Sequence, residues 1–126
     1  MFDLDLFKDI NDTHGHAKGD AVLRHFAQVL LCELRKVDSV GRIGGEEFAI
    51  LLSGADVEDA ARFAERVRAR LQASPLCEEG ICIAVTVSIG VATMLADDAS
   101  VNSALSRADR ALYRAKQRGR NRVEIA

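Results

Sequence analysis

The chain has 126 residues, which is enough for one compact domain and too few for two. Its apolar content of 48% is that of an ordinary globular protein, and its net charge of −2 argues against a general nucleic-acid-binding protein, which would carry a basic excess. The longest apolar stretch, residues 81–96, is too short and too rich in serine, threonine and glycine to span a membrane.

The first half of the chain predicts a strand, two helices and a hairpin. Residues 1–7 alternate apolar and acidic side chains, which predicts a strand with Asp3 and Asp5 on one face. Residues 8–20 are polar and contain two glycines, which favours a short helix followed by a loop. An amphipathic helix is predicted from Asp20 onward, and the segments SVGRI and FAILL flank two glycines as the arms of a hairpin would.

The second half predicts two more helices and two more strands. Asp56 and Asp59 have the spacing of a capping box, and the helix that they open should end before Pro75. Residues 81–93 alternate large and small side chains, which predicts one long strand covered on its large face. Ser100 can cap a last helix, and residues 119–126 close with a short strand. The order β-α-α-β-β-α-β-α-β fits one α/β domain, with helices packed on a partly antiparallel sheet.

The chain has three cysteines, Cys32, Cys77 and Cys82. Their number is odd and they lack the spacing of metal ligands. We therefore expect buried or idle thiols in a reducing compartment, which predicts a cytoplasmic location.

Asp3 and Asp5 are the first candidates for chemistry. Both lie at the predicted end of a strand, where a sheet presents side chains to a ligand. Paired carboxylates there favour a hard cation such as Mg²⁺, which prefers oxygen ligands and usually arrives with phosphates. The alternative is a solvated polar face on an edge strand.

The segment GGEEF supplies two more carboxylates. Gly44 and Gly45 can adopt positive φ in a tight two-residue turn, and glycine lets a backbone approach a bulky ligand. Glu46 and Glu47 are adjacent, so in regular strand geometry they face opposite ways and at most one can share a metal with Asp3. We expect Glu46, nearest the turn, to be that ligand, and Glu47 to act indirectly or to handle a proton.

Three cations could accompany such a centre. Lys8 follows the acidic strand, and Lys116 and Arg120 lie around the end of the last predicted helix. They suit a triphosphate, whose charge one Mg²⁺ does not neutralise, although basic residues also occur at helix ends for structural reasons. Asn11 and Asp20 could read the edge of a base, or could be turn and cap residues.

Two other site classes are absent from the sequence. It contains no glycine-rich phosphate loop of the strand–loop–helix kind, which excludes a P-loop enzyme. His14 and His16 have no third ligand at a familiar spacing, which argues against a zinc site.

Four segments in order, FDLDLFKDINDTHGHAKGD, RKVDSVGRIGGEEFAILL, VTVSIGVA and ADRALYRAKQRGRNRV, resemble the GGDEF family of diguanylate cyclases. The resemblance covers essentially the whole chain, with glutamate at the third position of the signature. It implies a fold like that of adenylyl cyclases and polymerase palm domains. It also implies a reaction in which two GTP condense to cyclic di-GMP, a bacterial second messenger, with release of two pyrophosphates.

The resemblance also implies roles for individual residues. Asp3, Glu46 and the Leu4 carbonyl would hold Mg²⁺, or Mn²⁺ in its place. Each domain would hold one GTP, and two domains would meet face to face as a homodimer. The predicted contacts to the phosphates are Lys8, Lys116 and Arg120, those to guanine are Asn11 and Asp20, and those along the nucleotide backbone are Gly44 and Gly45.

A second site is implied by the segment RKVD. Arg35 and Asp38 stand before the signature at the offset of the family's inhibitory RxxD motif, and Arg66 matches an accessory arginine. We expect cyclic di-GMP to bind there and to inhibit the cyclase.

Members of the family carry a helix, an LTGL-type segment and most of the first strand ahead of the acidic pair. Residues 1–126 therefore resemble a single GGDEF domain without those parts. On this basis we expect reduced stability and low cyclase activity for the isolated chain.

Three readings of the sequence follow. The first is a diguanylate cyclase, favoured by the intact GGEEF, Asp3 and Lys8. The second is a catalytically weak GGDEF module that binds GTP or cyclic di-GMP and signals through protein contacts. The third is a ferredoxin-like interaction domain with no nucleotide, which would require all four segments to match by coincidence.

Overall fold

A computed structural model describes all 126 residues of the chain, as four helices and seven strands. No helix is both long and apolar enough to cross a membrane. The elements in chain order are β1 (Phe2–Leu4), α1 (Phe7–His14), α2 (His16–Glu33), β2 (Ser39–Gly44), β3 (Glu47–Leu51), α3 (Val57–Ala73), β4 (Leu76–Glu78), β5 (Ile81–Ile83), β6 (Val87–Val91), α4 (Val101–Gln117) and β7 (Val123–Ile125).

The main sheet has five strands in the order β2-β3-β1-β6-β7. The central strand β1 is antiparallel to both β3 and β6, whereas β6 and β7 are parallel. The predicted mixed sheet with flanking helices is therefore confirmed. Because β1 is central, the residues at its carboxyl end lie between β3 and β6.

Helix α2 begins earlier than the sequence predicts. The expected loop before Asp20 is helical from His16 onward, and only Gly15, with φ of 88°, separates α2 from α1. Gly19 lies inside α2, where α2 packs against Asn11 of α1. A Cβ at this position would lie 1.8 Å from Asn11 Oδ1. This glycine permits close packing of α2 on α1 and does not end a helix.

The predicted long strand over residues 81–93 is wrong. Its first part is β5, which pairs with β4 in a separate two-stranded hairpin, and only Val87–Val91 joins the main sheet as β6. In the hairpin Cys77 lies directly opposite Cys82, with Cα atoms 4.1 Å apart, and the two form a disulfide. The expectation of idle thiols is thus wrong for these two cysteines, and Cys32 is free but exposed. The sequence pattern did not indicate β4, so it gave no sign that Cys77 would lie opposite Cys82.

The strand β6, which lies next to β1, is buried on both faces. Its large residues, such as Ile89, belong to the main hydrophobic core with Phe26 of α2 and Val67 of α3. Its other face lies under α4, where a Cβ on Gly90 would be 1.9 Å from the Ala108 carbonyl oxygen. The small residues of this strand therefore serve close packing of a helix, and α4 is fixed at one distance from the sheet.

Both predicted helix caps are confirmed. Asp56 accepts a hydrogen bond from the Asp59 backbone N–H at 2.8 Å, and Ser100 accepts one from Asn102 at 3.2 Å. These bonds satisfy backbone donors that the first turn of a helix otherwise leaves free.

Candidate active site

Four predicted site residues meet at the carboxyl end of β1. The register between β1 and β3 sets Asp3 directly opposite Glu47. One step further along, the Leu4 N–H donates to the Glu46 carbonyl at 3.2 Å. Pairing of the central strand with the GGEEF hairpin thus brings together Asp3, Leu4, Glu46 and Glu47.

The turn of this hairpin consists of Gly45 and Glu46, so the expectation that the two glycines form it is wrong. Gly44 ends β2 and pairs with Glu47, because the register shifts between Arg42 and Gly44. Gly45 has φ of 28°, and its carbonyl accepts a hydrogen bond from Arg42 Nε at 2.8 Å. Because Glu46 lies in a turn, strand alternation does not dictate where its side chain points.

Glu47 is electrostatically perturbed. Burial raises its pKa, and the negative charges of Asp3, Asp109 and Glu46 add to that effect. Like charges that meet at partial burial are costly unless a cation balances them. The cluster of carboxylates around Glu47 therefore suits a bound cation.

The geometry around Asp3 also fits a cation. Lys116, in the last turn of α4, places its ammonium 2.9 Å from Asp3 Oδ1 and 3.4 Å from the Asp3 carbonyl oxygen. No group of three or more histidine, cysteine, aspartate or glutamate side chains could hold a metal. A Mg²⁺ ion here would therefore need main-chain, water or phosphate oxygens besides Asp3 and a glutamate, which is usual for this ion when it binds with a nucleotide.

The three predicted phosphate contacts lie on different elements. Lys8 is exposed in the first turn of α1, and Arg120 is exposed in the turn after α4. Lys116 is mostly buried and forms ion pairs with Asp3 and Asp5. Of the three, only Lys116 contacts the acidic end of β1 directly.

The sequence pattern suggested that Asp5 could share a metal ion with Asp3, but the hydrogen bonds of Asp5 leave it no free oxygen for one. It is 4% exposed, and Ser88, Lys116, Thr86 and the Asn121 N–H all donate to its carboxylate. Burial alone would raise its pKa, but the hydrogen bonds from Ser88, Lys116 and Thr86 outweigh burial and lower it. The signal that sequence reasoning missed lies in β6 and just before it, where two hydroxyl residues interrupt an apolar run.

The two predicted base-reading residues lie at the junction of α1 and α2. The Asn11 amide packs against Gly19, and Asp20 is the next residue, exposed on α2. The close approach of the two helices thus places Asn11 beside the residue that precedes Asp20. An amide and a carboxylate together can both donate to and accept from a base edge.

Two residues of the predicted inhibitory site, Arg35 and Asp38, form an ion pair. Arg35 donates through Nε and Nη2 to the Asp38 carboxylate at 3.1 and 2.8 Å, and through Nη2 to the Ser53 carbonyl at 2.7 Å. The hydrogen bonds from Arg35 hold the pKa of Asp38 below its usual range, although burial opposes them. The side chain of Asp38 is 1% exposed, whereas that of Arg35 is 56% exposed and open to a ligand.

Arg66 does not contact this ion pair. Its Nε lies 3.2 Å from Glu33 Oε2, and Arg70 Nη1 lies 3.0 Å from Glu33 Oε1. Hydrogen bonds from Arg70 and then Arg66 lower the pKa of Glu33 against the effect of burial. Glu33 and Arg70 were missed by the sequence reasoning because the contact joins the end of α2 to α3, which are distant in sequence.

Known proteins resemble the chain over its whole length. A family model described as Diguanylate cyclase, GGDEF domain, matches residues 1–122. Diguanylate cyclase A of Treponema denticola is 44% identical over 126 residues, which are 100% of this chain and 34% of that protein. Diguanylate cyclase DgcP of Pseudomonas aeruginosa is 41% identical, and the chain covers 19% of it. The chain therefore spans no more than about a third of the length of these curated relatives.

Solved structures match the fold as well. The active GGEEF domain of a diguanylate cyclase from Vibrio cholerae has a TM-score of 0.91 and 39% identity, over 98% of this chain and 78% of that one. The GGDEF domain of DgcB from Caulobacter crescentus, in complex with c-di-GMP, has a TM-score of 0.93 and 36% identity, over 98% of this chain and 74% of that one. The chain thus shares its arrangement of elements with these solved structures over nearly its full length.

Proposed function

The chain belongs to the GGDEF domain family of diguanylate cyclases, and we propose that residues 1–126 act as one such domain, which condenses two GTP to cyclic di-GMP and two pyrophosphates. The observation that supports this most directly is the pairing of Asp3 with Glu47, one step from the contact of Leu4 with Glu46. Two acidic elements distant in sequence meet there at the end of a central strand, and Lys116 contacts Asp3 of the first element. Neither a solvated polar edge nor an interaction domain without a nucleotide requires that arrangement.

In the proposed complex each domain binds one GTP. Asp3, Glu46 and the Leu4 carbonyl would hold Mg²⁺ or Mn²⁺, and the family is generally dependent on a divalent metal. Such an ion would polarise the α-phosphate and offset the charge of the triphosphate. The proposed phosphate contacts are Lys8, Lys116 and Arg120, the proposed guanine contacts are Asn11 and Asp20, and the proposed backbone contacts along the nucleotide are Gly44 and Gly45.

The proposed reaction is a displacement at phosphorus. The 3′-hydroxyl of one GTP attacks the α-phosphorus of the GTP on the partner domain. A new O–P bond forms, the bond between the α-phosphorus and the bridging oxygen breaks, and pyrophosphate leaves with the electron pair. Glu47, which stands opposite Asp3, is our candidate for taking up the hydroxyl proton, directly or through a water.

The test is synthesis of cyclic di-GMP by the chain fused to a dimeric coiled coil, because the reaction requires two domains face to face. We expect product in the presence of GTP and Mg²⁺, and none from the same fusion with Asp3→Asn. A fusion that binds GTP tightly yet forms no cyclic di-GMP would refute the catalytic proposal and favour the binding module.

We further propose that cyclic di-GMP binds at Arg35, Asp38 and Arg66 and inhibits the enzyme. The exposed face of the Arg35 guanidinium supports this, since a guanidinium fork matches a phosphate and stacks on a base. The Arg66 side chain is also exposed, and it forms an ion pair with Glu33.

We expect Arg35→Ala to abolish measurable binding of cyclic di-GMP in a calorimetric titration, because the buried Asp38 carboxylate alone repels phosphate. Arg24→Ala is the matched control, since Arg24 is an exposed arginine of α2 without an ion pair. Binding of cyclic di-GMP that survives in Arg35→Ala at parental affinity would contradict the assignment.

A further inference from the structure

Asp5 and Ser88 are the two polar side chains that the structure buries, and they contact each other. Ser88 Oγ donates to Asp5 Oδ1 at 2.6 Å, and Thr86 Oγ1 donates to Asp5 Oδ2 at 2.8 Å. Thr86 and Ser88 are two residues apart, so in extended backbone they point to the same side. The adjoining backbone is fixed too, since the Asp5 N–H donates to the Thr86 carbonyl at 2.9 Å.

The remaining two hydrogen bonds to Asp5 come from the end of α4 and from the turn that follows it. Lys116 Nζ lies 2.9 Å from Oδ1, and the Asn121 N–H lies 3.0 Å from Oδ2. With two donors on each oxygen, the carboxylate is committed within the protein and is not free to bind a ligand. Its buried charge therefore acts on the residues that donate to it.

Lys116 is the first of these residues. A free lysine side chain has many rotamers, and a ligand that fixes it in one of them loses affinity through the entropy cost. Asp3 and Asp5 together fix its ammonium, but a cation bound at Asp3 would compete for that carboxylate. Asp5, with its own oxygens already saturated by donors, would continue to hold Lys116 beside the phosphates.

Asp5 also acts on the turn that carries Arg120, through its hydrogen bond from Asn121. Gly119, Arg120 and Asn121 have φ of 119°, 64° and 48°, so two non-glycine residues in succession adopt left-handed backbone. That conformation is unfavourable for L-residues and persists only where surrounding contacts enforce it. The bond from Asn121 N–H to Asp5 is such a contact, and the exposed Arg120 side chain itself makes no hydrogen bond within the protein.

We propose that Asp5 is a positioning residue that holds both Lys116 and Arg120 in the geometry that binds a triphosphate. The inference rests on the proposed function, because it assigns those two cations to the phosphates of GTP. Asp5 itself touches neither the nucleotide nor a metal.

The test compares two ligands on the Asp5→Asn variant. The asparagine keeps the shape but loses the charge. In either orientation of the amide, the NH₂ group replaces one oxygen and cannot accept the two hydrogen bonds made there. We expect the affinity for a GTP analogue with a methylene bridge between the α- and β-phosphorus atoms to fall about tenfold, the order of a lost charge-assisted hydrogen bond. The affinity for guanosine, which has no phosphate, should be unchanged.

A double-mutant cycle separates positioning from general damage to the fold. In the background Lys116→Met with Arg120→Ala, Asp5→Asn should change the affinity for the GTP analogue by less than about twofold, because the residues it acts through are gone. If Asp5→Asn does not fold, Thr86→Val removes one hydrogen bond to the carboxylate, and it should weaken binding of the analogue but not of guanosine.

Three results would count against the inference. Equal losses for guanosine and the GTP analogue would show general damage to the fold, and an unchanged affinity for the analogue in Asp5→Asn would show that Asp5 does not position the cations. Failure of the parent chain to bind the analogue at all would instead overturn the proposed function, and the inference with it.

Discussion

Replacing Glu46 with glutamine should lower the rate of cyclic di-GMP synthesis by about a hundredfold or more, since even the outer partners of metal ligands are worth about 10- to 100-fold. The substitution removes one negative charge from the turn beside Leu4 and changes little else, because glutamine has almost the same shape. Loss of a metal ligand should also raise the Mg²⁺ concentration needed for half-maximal activity. The measurement is the initial rate of the coiled-coil fusion as a function of Mg²⁺.

Glu47→Gln is the informative comparison. Glu47 stands directly opposite Asp3, so the structure makes it the one rival to Glu46 as the partner of Asp3 at a metal. If Glu47 instead handles a proton, Glu47→Gln should reduce the maximal rate with no change in the Mg²⁺ requirement. Glu58→Gln, an exposed glutamate on α3, serves as the control for charge removal alone. A normal Mg²⁺ response in Glu46→Gln together with a shifted one in Glu47→Gln would reverse the assignment.

Replacing Gly90 with alanine should destabilise the domain by about 3 kcal/mol or more, at or beyond the usual range for overpacking. The new Cβ would lie 1.9 Å from the Ala108 carbonyl oxygen and 2.4 Å from the Leu112 backbone nitrogen. Both atoms belong to the helical backbone of α4, so no side-chain rotation can relieve the clash. The helix would have to move away from β6 and would carry Lys116 with it.

Urea denaturation followed by far-UV circular dichroism measures this loss. Gly41→Ala is the matched control, because Gly41 is an exposed strand glycine with nothing within 4 Å of an added Cβ. We expect the control to change the free energy of unfolding by no more than about 0.5 kcal/mol. If Gly90→Ala were equally silent, the packing of α4 on β6 would have to be looser than the structure describes.

The elements with clear local signals in the sequence were predicted well. The helices α3 and α4 were predicted from their capping residues Asp56 and Ser100, and both caps were confirmed. The misplaced elements are set by contacts with neighbouring segments that leave no period in the sequence. The strand β4 is three residues long and is defined by its pairing with β5, and α2 extends back to His16 because Gly19 permits close packing on Asn11.

The sequence by itself determined the mixed α/β class, the family and the set of candidate residues, because these depend on local period and on ordered motifs. The alternating pattern alone could not separate the roles of Asp3 and Asp5. Asp3 and Asp5 look alike in an alternating strand, yet one meets Glu47 across the sheet and the other is buried among donors from β6, α4 and the turn after it. Only the tertiary structure decided this, since the environment of a carboxylate is set by groups more than eighty residues away along the chain.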